Sequence, residues 1–380
     1  MERTIQNIFP NNIAQALCHT LVYSIWEGFL LAILTGLIIL LTRNSRAALR
    51  YRLLVVALVV YTVAIGLTFV SVFNPMAGES FQVAALNPNE QPNFTSTLVA
   101  CFNDVLKYTH EYAGLVSGIW LMLAVLQNVR LLFGLYTLDR LKKVNIKTVG
   151  RNWQEKTDRL SRALGIRQAV LLLESSIAQV PVVIGYLKPV VLVPIGLINS
   201  LEPAQVEAIL LHELAHIRRK DYLVNILQTV LETFFFFNPA VLWLSWLIRA
   251  ERENCCDDIV IGQTKNKVVY AQALVHFQEY TLTSSRKAVA LTGMPGSMLA
   301  RLERISAGKN RSLGKLELIV LAVLLVLTTM FIAASPRNTI SSTAKFHTPS
   351  VTGSNSKELQ AKKKAEAAVT ERTRHKQPSP

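Results

Sequence analysis

Leu211-His212-Glu213-Leu214-Ala215-His216 is followed, 37 positions after His216, by Glu253 within Arg249-Ala250-Glu251-Arg252-Glu253-Asn254-Cys255-Cys256-Asp257. On a helix, residues four apart share one face, so His212 and His216 can offer imidazole nitrogens to one ion while Glu213 faces its open position. Two histidines and a carboxylate leave room for a bound water, as in a hydrolytic zinc centre.

H-E-x-x-H alone also occurs as the polar face of an ordinary helix, so the flanks decide. Ser200-Leu201-Glu202-Pro203 supplies a helix start, with Ser200 as a cap and Pro203 tolerated only in the first turn. Val206, Ile209, Leu210, Leu214 and Ile217 recur at helical spacing, which places the motif on a buried amphipathic helix. Imidazoles and a carboxylate buried there need a metal or hydrogen-bond partners, because leaving them bare costs several kcal/mol.

The chain has 380 residues, 51% of them hydrophobic and 17% charged, with a mean hydropathy of +0.32. That is too apolar for an ordinary soluble enzyme. Four runs, about 21–42, 53–73, 115–135 and 316–335, have lengths near that needed to cross hydrocarbon. Arg43, Arg46, Arg50 and Arg52 between the first two runs carry no acidic neighbour, whereas 74–112 holds Lys107 against Glu79, Glu90, Asp104 and Glu111. The positive-inside rule then puts the first loop in the cytoplasm and the N-terminus outside. The start of the chain lacks the features of a cleaved signal peptide, so the first run is expected to be a retained anchor.

The expected fold is mainly α with an α+β soluble part. Residues 1–135 form a membrane region with three transmembrane helices, 136–315 a cytoplasmic zincin-like metalloprotease domain carrying a small β-sheet, 316–335 the fourth transmembrane helix, and 336–380 a disordered basic tail outside. The sheet is expected from the apolar runs at 169–174, 181–184 and 190–193, punctuated by Gly185 and prolines. An edge strand there could pair with an extended peptide and lay it across the metal. The multi-pass chain belongs in the inner (cytoplasmic) membrane.

Residues 231–248 are apolar enough to suggest a fifth crossing, but that would put Glu253 across the bilayer from the histidines. Asn238-Pro239 instead breaks the helix, so the chain doubles back as a hairpin whose apolar faces lie against the other spans or in the interface. On the continuing helix Glu253 and Asp257 are spaced i,i+4, one carboxylate for the metal and one to orient a ligating histidine. Asp221 is another candidate to orient a histidine. Cys255 and Cys256 point about 100° apart on a helix and are expected to pack as small buried groups. His276, Arg249 and Tyr270 are each candidates to stabilise an oxyanion, and the sequence does not choose among them.

The run His212 to Tyr222, then Asn225, Phe237-Asn238-Pro239 and Arg249 to Asp257, together with Val180 to Pro194 upstream, resembles the BlaR/MecR antirepressor family of membrane metallopeptidases. The strong part covers about 80 residues, and the four-span layout extends it over 20–335. The resemblance implies Zn2+ held by His212, His216 and Glu253, and Glu213 as general base. It implies a cytoplasmic protein substrate, a transcriptional repressor, in signalling of the beta-lactamase regulation type. Receptors of that kind that sense beta-lactams carry a penicillin-binding domain after the last span; only 45 residues follow Ser335 here, so no such sensor is expected.

The net charge of +15 is spread along the chain without aromatic interleaving or a groove-reading motif. It points to anionic lipid headgroups, not to direct nucleic-acid binding. A homodimer is compatible with this reading. Two other functions fit the same motifs: a housekeeping zinc protease of the CAAX prenyl protease/HtpX type, and a non-cleaving receptor or scaffold with a structural zinc site. Cys256, where the first group prefers Ala, and an intact Glu213, useless to a structural site, weigh against them.

Overall fold

A computed structural model describes residues 11–73, 112–185, 188–284, 296–308, 310, 312–334 and 364. The expectations for 74–111 and for the tail from 335, Lys364 apart, lie outside the described residues. The chain divides into two units after Ser335, and the sheet and the long helices all lie in the first.

Three long apolar helices come first: α1 (Asn11–Leu41), α2 (Ala47–Phe73) and α3 (Ala113–Lys143). Each contains a segment long and apolar enough to cross a membrane: Ile13–Leu41, Ala47–Phe73 and Ala113–Thr137. The first starts well before the expected residue 21, because the residues from Asn11 continue the same helix. The run expected to be a fourth span is also helical, as α11 (Lys315–Ala334). Helix α11 lies against α1, where a Cβ on Gly36 would come within 2.7 Å of Leu321 Cδ1.

The sheet joins β1 (Ile146–Thr148), β2 (Leu171–Ser175), β3 (Val182–Ile184) and β4 (Val190–Pro194) in the order β1-β2-β4-β3. The pairings β1–β2 and β3–β4 are antiparallel and β2–β4 is parallel. The last three strands fall on the β-branched apolar runs. Strand β1 does not: its three residues are all exposed, and it exists through its pairing with β2, so no alternation marks it in the sequence.

Helix α4 (Arg151–Ala163) precedes the strands β2 to β4. After them come α5 (Leu197–Ser200), α6 (Pro203–Arg219), α7 (Asp221–Phe234), α8 (Pro239–Thr264), α9 (Lys267–Ser284) and α10 (Gly296–Ala307). One core joins Leu172, Val191 and Val193 of the sheet to Val206, Leu210 and Leu214 of α6 and Ala273 of α9. A second joins Leu54 and Leu58 of α2 to Leu231, Leu244 and Ile248 of the α7–α8 pair. The expected hairpin is present: α7 ends at Phe234, and Asn238 caps α8 by accepting from the Ala240 and Val241 amides, with Pro239 in the first turn.

The start of α6 corrects one expectation. Its N-cap is Glu202, with no side-chain cap, while the Ser200 hydroxyl donates to the Leu197 carbonyl within α5. Pro203 opens the helix as expected because its missing N–H and fixed φ suit that position.

Candidate metal centre

Helix α6 buries Val206, Leu210, Leu211 and Leu214, which turns His212, Glu213 and His216 toward a cleft of about 800 Å³. Lys220 ends the helix in the left-handed region, φ 55, and α7 begins at the next residue. That sharp turn brings Asp221 back under His216. Helix α8 then delivers Glu253, although 37 positions separate it from His216.

His212 Nε2 lies 3.3 Å from Glu253 Oε2, and His216 Nε2 lies 3.9 Å from Glu253 Oε1. All three ligand atoms fall within 4.8 Å of one another. Ligands about 2.0–2.1 Å from a tetrahedral ion stand about 3.3–3.4 Å apart, so these separations fit one divalent metal with little adjustment.

Each imidazole is oriented from behind. Tyr270 donates its hydroxyl proton to Asp257 Oδ1 at 2.6 Å. Its oxygen is therefore left to accept from His212 Nδ1, 3.0 Å away, and Asp257 Oδ1 is itself 3.4 Å from that nitrogen. His216 Nδ1 donates to Asp221 Oδ2 at 2.9 Å. Both rings thus donate from Nδ1 and turn Nε2 toward Glu253, the nitrogen that a metal would take. Asp257 and Asp221, the two carboxylates expected to orient histidines, each meet one.

The carboxylates and the imidazole charge one another. Burial pushes the His212 imidazole down, but hydrogen bonds to Asp257 and Glu253 outweigh it and raise its pKa to about 9. Burial works against the Glu253 carboxylate too, yet His212 and Arg301 hold it down at about 2. Asp257 overcomes burial in the same way, through Arg301 and His212, and stays well below the usual carboxylate range.

Arg301 on α10 is the residue that sequence reasoning missed, since in the sequence it is one more base among the spread positive charges. Its guanidinium grips Asp257 at 3.0 and 2.6 Å, reaches the Tyr270 oxygen at 3.3 Å and lies 3.6 Å from Glu253 Oε2. A contact spanning 44 positions leaves no local signal. Of the three candidate oxyanion donors, Tyr270 is committed to Asp257 and His212, His276 Nδ1 meets Gln205 Oε1 at 3.1 Å, and Arg249 pairs with Glu232 at 2.7 Å. Arg301 lines the cleft as well.

Cys255 and Cys256 are buried as expected. Cys256 Sγ sits 3.4 Å from His216 Nδ1, in a second cluster with Asp221. Burial drives its thiol far above the ordinary range, and His216 Nδ1 is already engaged with Asp221, so this cluster packs behind His216. Glu251 and Asp258 face away from the centre: Glu251 pairs with Arg50 at 3.2 Å, with both side chains buried, and Asp258 takes a two-point contact from Arg304.

Apolar helices of membrane-crossing length, joined to a helical unit with a metal-ready histidine and carboxylate cluster, define a membrane metallopeptidase-like protein. The chain belongs to the BlaR1 peptidase M56 family, whose match runs over residues 20–305. It is 31% identical over 112 residues to regulatory protein BlaR1 of Bacillus licheniformis, covering 29% of this chain and 18% of that protein. A 24% identical match over 190 residues to the Staphylococcus aureus regulatory protein BlaR1 covers 49% and 32%. Protease HtpX homolog 1 of Streptomyces coelicolor is 31% identical over 124 residues, 31% of this chain and 40% of that protein. The chain therefore aligns with well under two thirds of each relative.

Proposed function

We propose that the chain is an integral-membrane zinc metalloendopeptidase that cleaves a cytoplasmic protein, a transcriptional repressor by analogy with the BlaR1 relatives. The observation that carries this is the convergence of two Nε2 atoms and the Glu253 carboxylate, in a cleft that Glu213 also lines and that has room for a peptide. His212, His216 and Glu253 hold zinc; Asp257, through Tyr270, and Asp221 fix the two imidazoles. Bound zinc would lower the pKa of a water toward neutrality and polarise the scissile carbonyl. Glu213 would serve as the base that takes a proton from the attacking water and passes it to the leaving amine. The cleft is also lined by Val182 and Val183 of β3, which ends the sheet, and an extended substrate adds to that edge as a further strand.

In this reading residues 1–135 are a three-span membrane region, 136–315 the cytoplasmic peptidase domain and α11 the fourth span, with the N-terminus and the 336–380 tail outside. The test is to compare the cytoplasmic N-termini of cells carrying the native chain with those of cells carrying Glu213→Ala. The substituted protein is expected to keep its zinc and lose every cleavage product. Continued cleavage by Glu213→Ala would refute the assignment of the base. The HtpX likeness favours a second reading, a housekeeping protease, which differs in yielding many unrelated products instead of one repressor fragment.

A further inference from the structure

Helices α7 and α8 expose a row of apolar side chains while burying polar groups between them, beside the apolar core that holds Leu231, Leu244 and Ile248. On α7 the exposed face carries Leu223, Ile226 and Val230, at 54%, 55% and 44% exposure, and Leu242 on α8 is 41% exposed. Between the two helices Gln228 and Ser245 are fully buried. Gln228 donates to the Ser245 carbonyl and hydroxyl at 2.8 and 2.7 Å, the Ser245 hydroxyl bonds Glu232, and Glu232 neutralises Arg249, whose side chain is 41% exposed at the edge of the pair. Polar groups turned inward and apolar ones outward suit hydrocarbon, where an unsatisfied polar group costs several kcal/mol.

The tip of the pair is held at a known level of the spans. Asn238 donates to the Ser24 carbonyl at 2.8 Å and the Tyr61 hydroxyl at 3.0 Å. A Cβ on Gly28 would come within 2.6 Å of the Asn238 side chain, so only glycine admits it. Trp120 of α3 donates to the Phe234 carbonyl at 3.0 Å and stacks on its ring. At 1.5 Å per residue, Ser24 lies about 25 Å along α1 from Leu41, most of a hydrocarbon core of about 30 Å. Glu253 lies about 21 Å back along α8 from Pro239, at the end where Tyr51 of α2 meets Asp221 at 3.4 Å.

We propose that α7 and α8 form a re-entrant hairpin sunk in the bilayer, with acyl chains covering the Leu223, Ile226 and Val230 face and the metal centre held at the cytoplasmic membrane surface. The covering partner is lipid because the helices that grip the tip are themselves long and apolar enough to cross a membrane. The inference rests on the membrane reading of α1–α3 and not on peptidase activity. The substrate bond must then be presented at the membrane surface.

The test reconstitutes the full chain, with Cys18→Ser and Cys101→Ser, in phosphatidylcholine and phosphatidylglycerol vesicles. Nitroxides are attached singly at Leu223→Cys, Ile226→Cys or Val230→Cys. Cys255 and Cys256, buried and with raised pKa values, stay unlabelled at neutral pH. At all three positions collision with oxygen is expected to exceed collision with a water-soluble nickel chelate several-fold, increasingly from 223 to 230. Arg151→Cys gives the aqueous reference and Val59→Cys, on the exposed face of α2, the lipid one. Nickel dominating at the three hairpin positions while Val59→Cys favours oxygen would overturn the hairpin alone; nickel dominating at Val59→Cys as well would overturn the membrane reading beneath it.

Discussion

His212 is the residue on which the centre turns, because its Nδ1 is claimed by Tyr270 and Asp257 while its Nε2 meets Glu253. Asp257→Asn can no longer hold the proton on Nδ1 with a full charge, so zinc affinity is expected to fall about 10- to 100-fold. Competition with a fluorescent zinc chelator measures this. The same geometry sets a pH dependence. In the metal-free protein His212 titrates at about 9 against an ordinary 6.5, so its contribution to stability is complete below 6.5 and lost as pH rises through 9. Glu253, depressed to about 2 from 4.5, contributes above 4.5 and loses that contribution as pH falls toward 2. These are two views of one ion pair. The melting temperature of the metal-free chain is expected to decline on both sides of the window from pH 4.5 to 6.5. In the proposed site zinc would have to expel the His212 proton, so its affinity is expected to rise with pH up to about 9; an affinity flat between pH 6.5 and 9 would contradict the pairing.

At the scale of elements, α8 joins the long apolar helices to the candidate metal centre, and the Arg50–Glu251 pair is its lock to α2. Both side chains are buried, at 0% and 3% exposure. Arg50→Met strands the Glu251 charge and is expected to cost about 3–5 kcal/mol, whereas pairing Arg50→Met with Glu251→Leu recovers most of that loss. Unfolding in detergent, followed by circular dichroism, separates the two outcomes. Arg50 carries two kinds of information. In the sequence it is one of four bases that orient the first loop; in the fold it is a buried structural cation in the first turn of α2. Composition records the charge but not its burial, because the partner lies about two hundred residues away.

For the whole molecule, the proposed orientation is checked by alkaline phosphatase fusions, which are active only outside the cytoplasm. Joins at Ser45 and Asn145 are expected to be inactive and a join at Glu90 active; the opposite pattern would place the metal centre outside. Among the described residues, the apolar helices and three of the four strands were legible because hydrophobic run length and β-branched runs are local properties. The hairpin was legible from Asn238-Pro239 together with the demand that Glu253 rejoin the histidines. Strand β1 and Arg301 were not, since each owes its place to a partner distant in sequence.

The sequence by itself determined the chemistry on offer: which imidazoles and carboxylates share a helical face, where the chain must turn, and how much of it is apolar enough for lipid. These follow from helical periodicity and side-chain polarity, which act over a few residues. Only the tertiary structure decided how each ring is held, by Tyr270 with Asp257 and by Asp221, and that Arg301 closes the network from another helix. Hydrogen-bond geometry between distant segments is fixed by packing, and packing leaves no mark on the local order of residues.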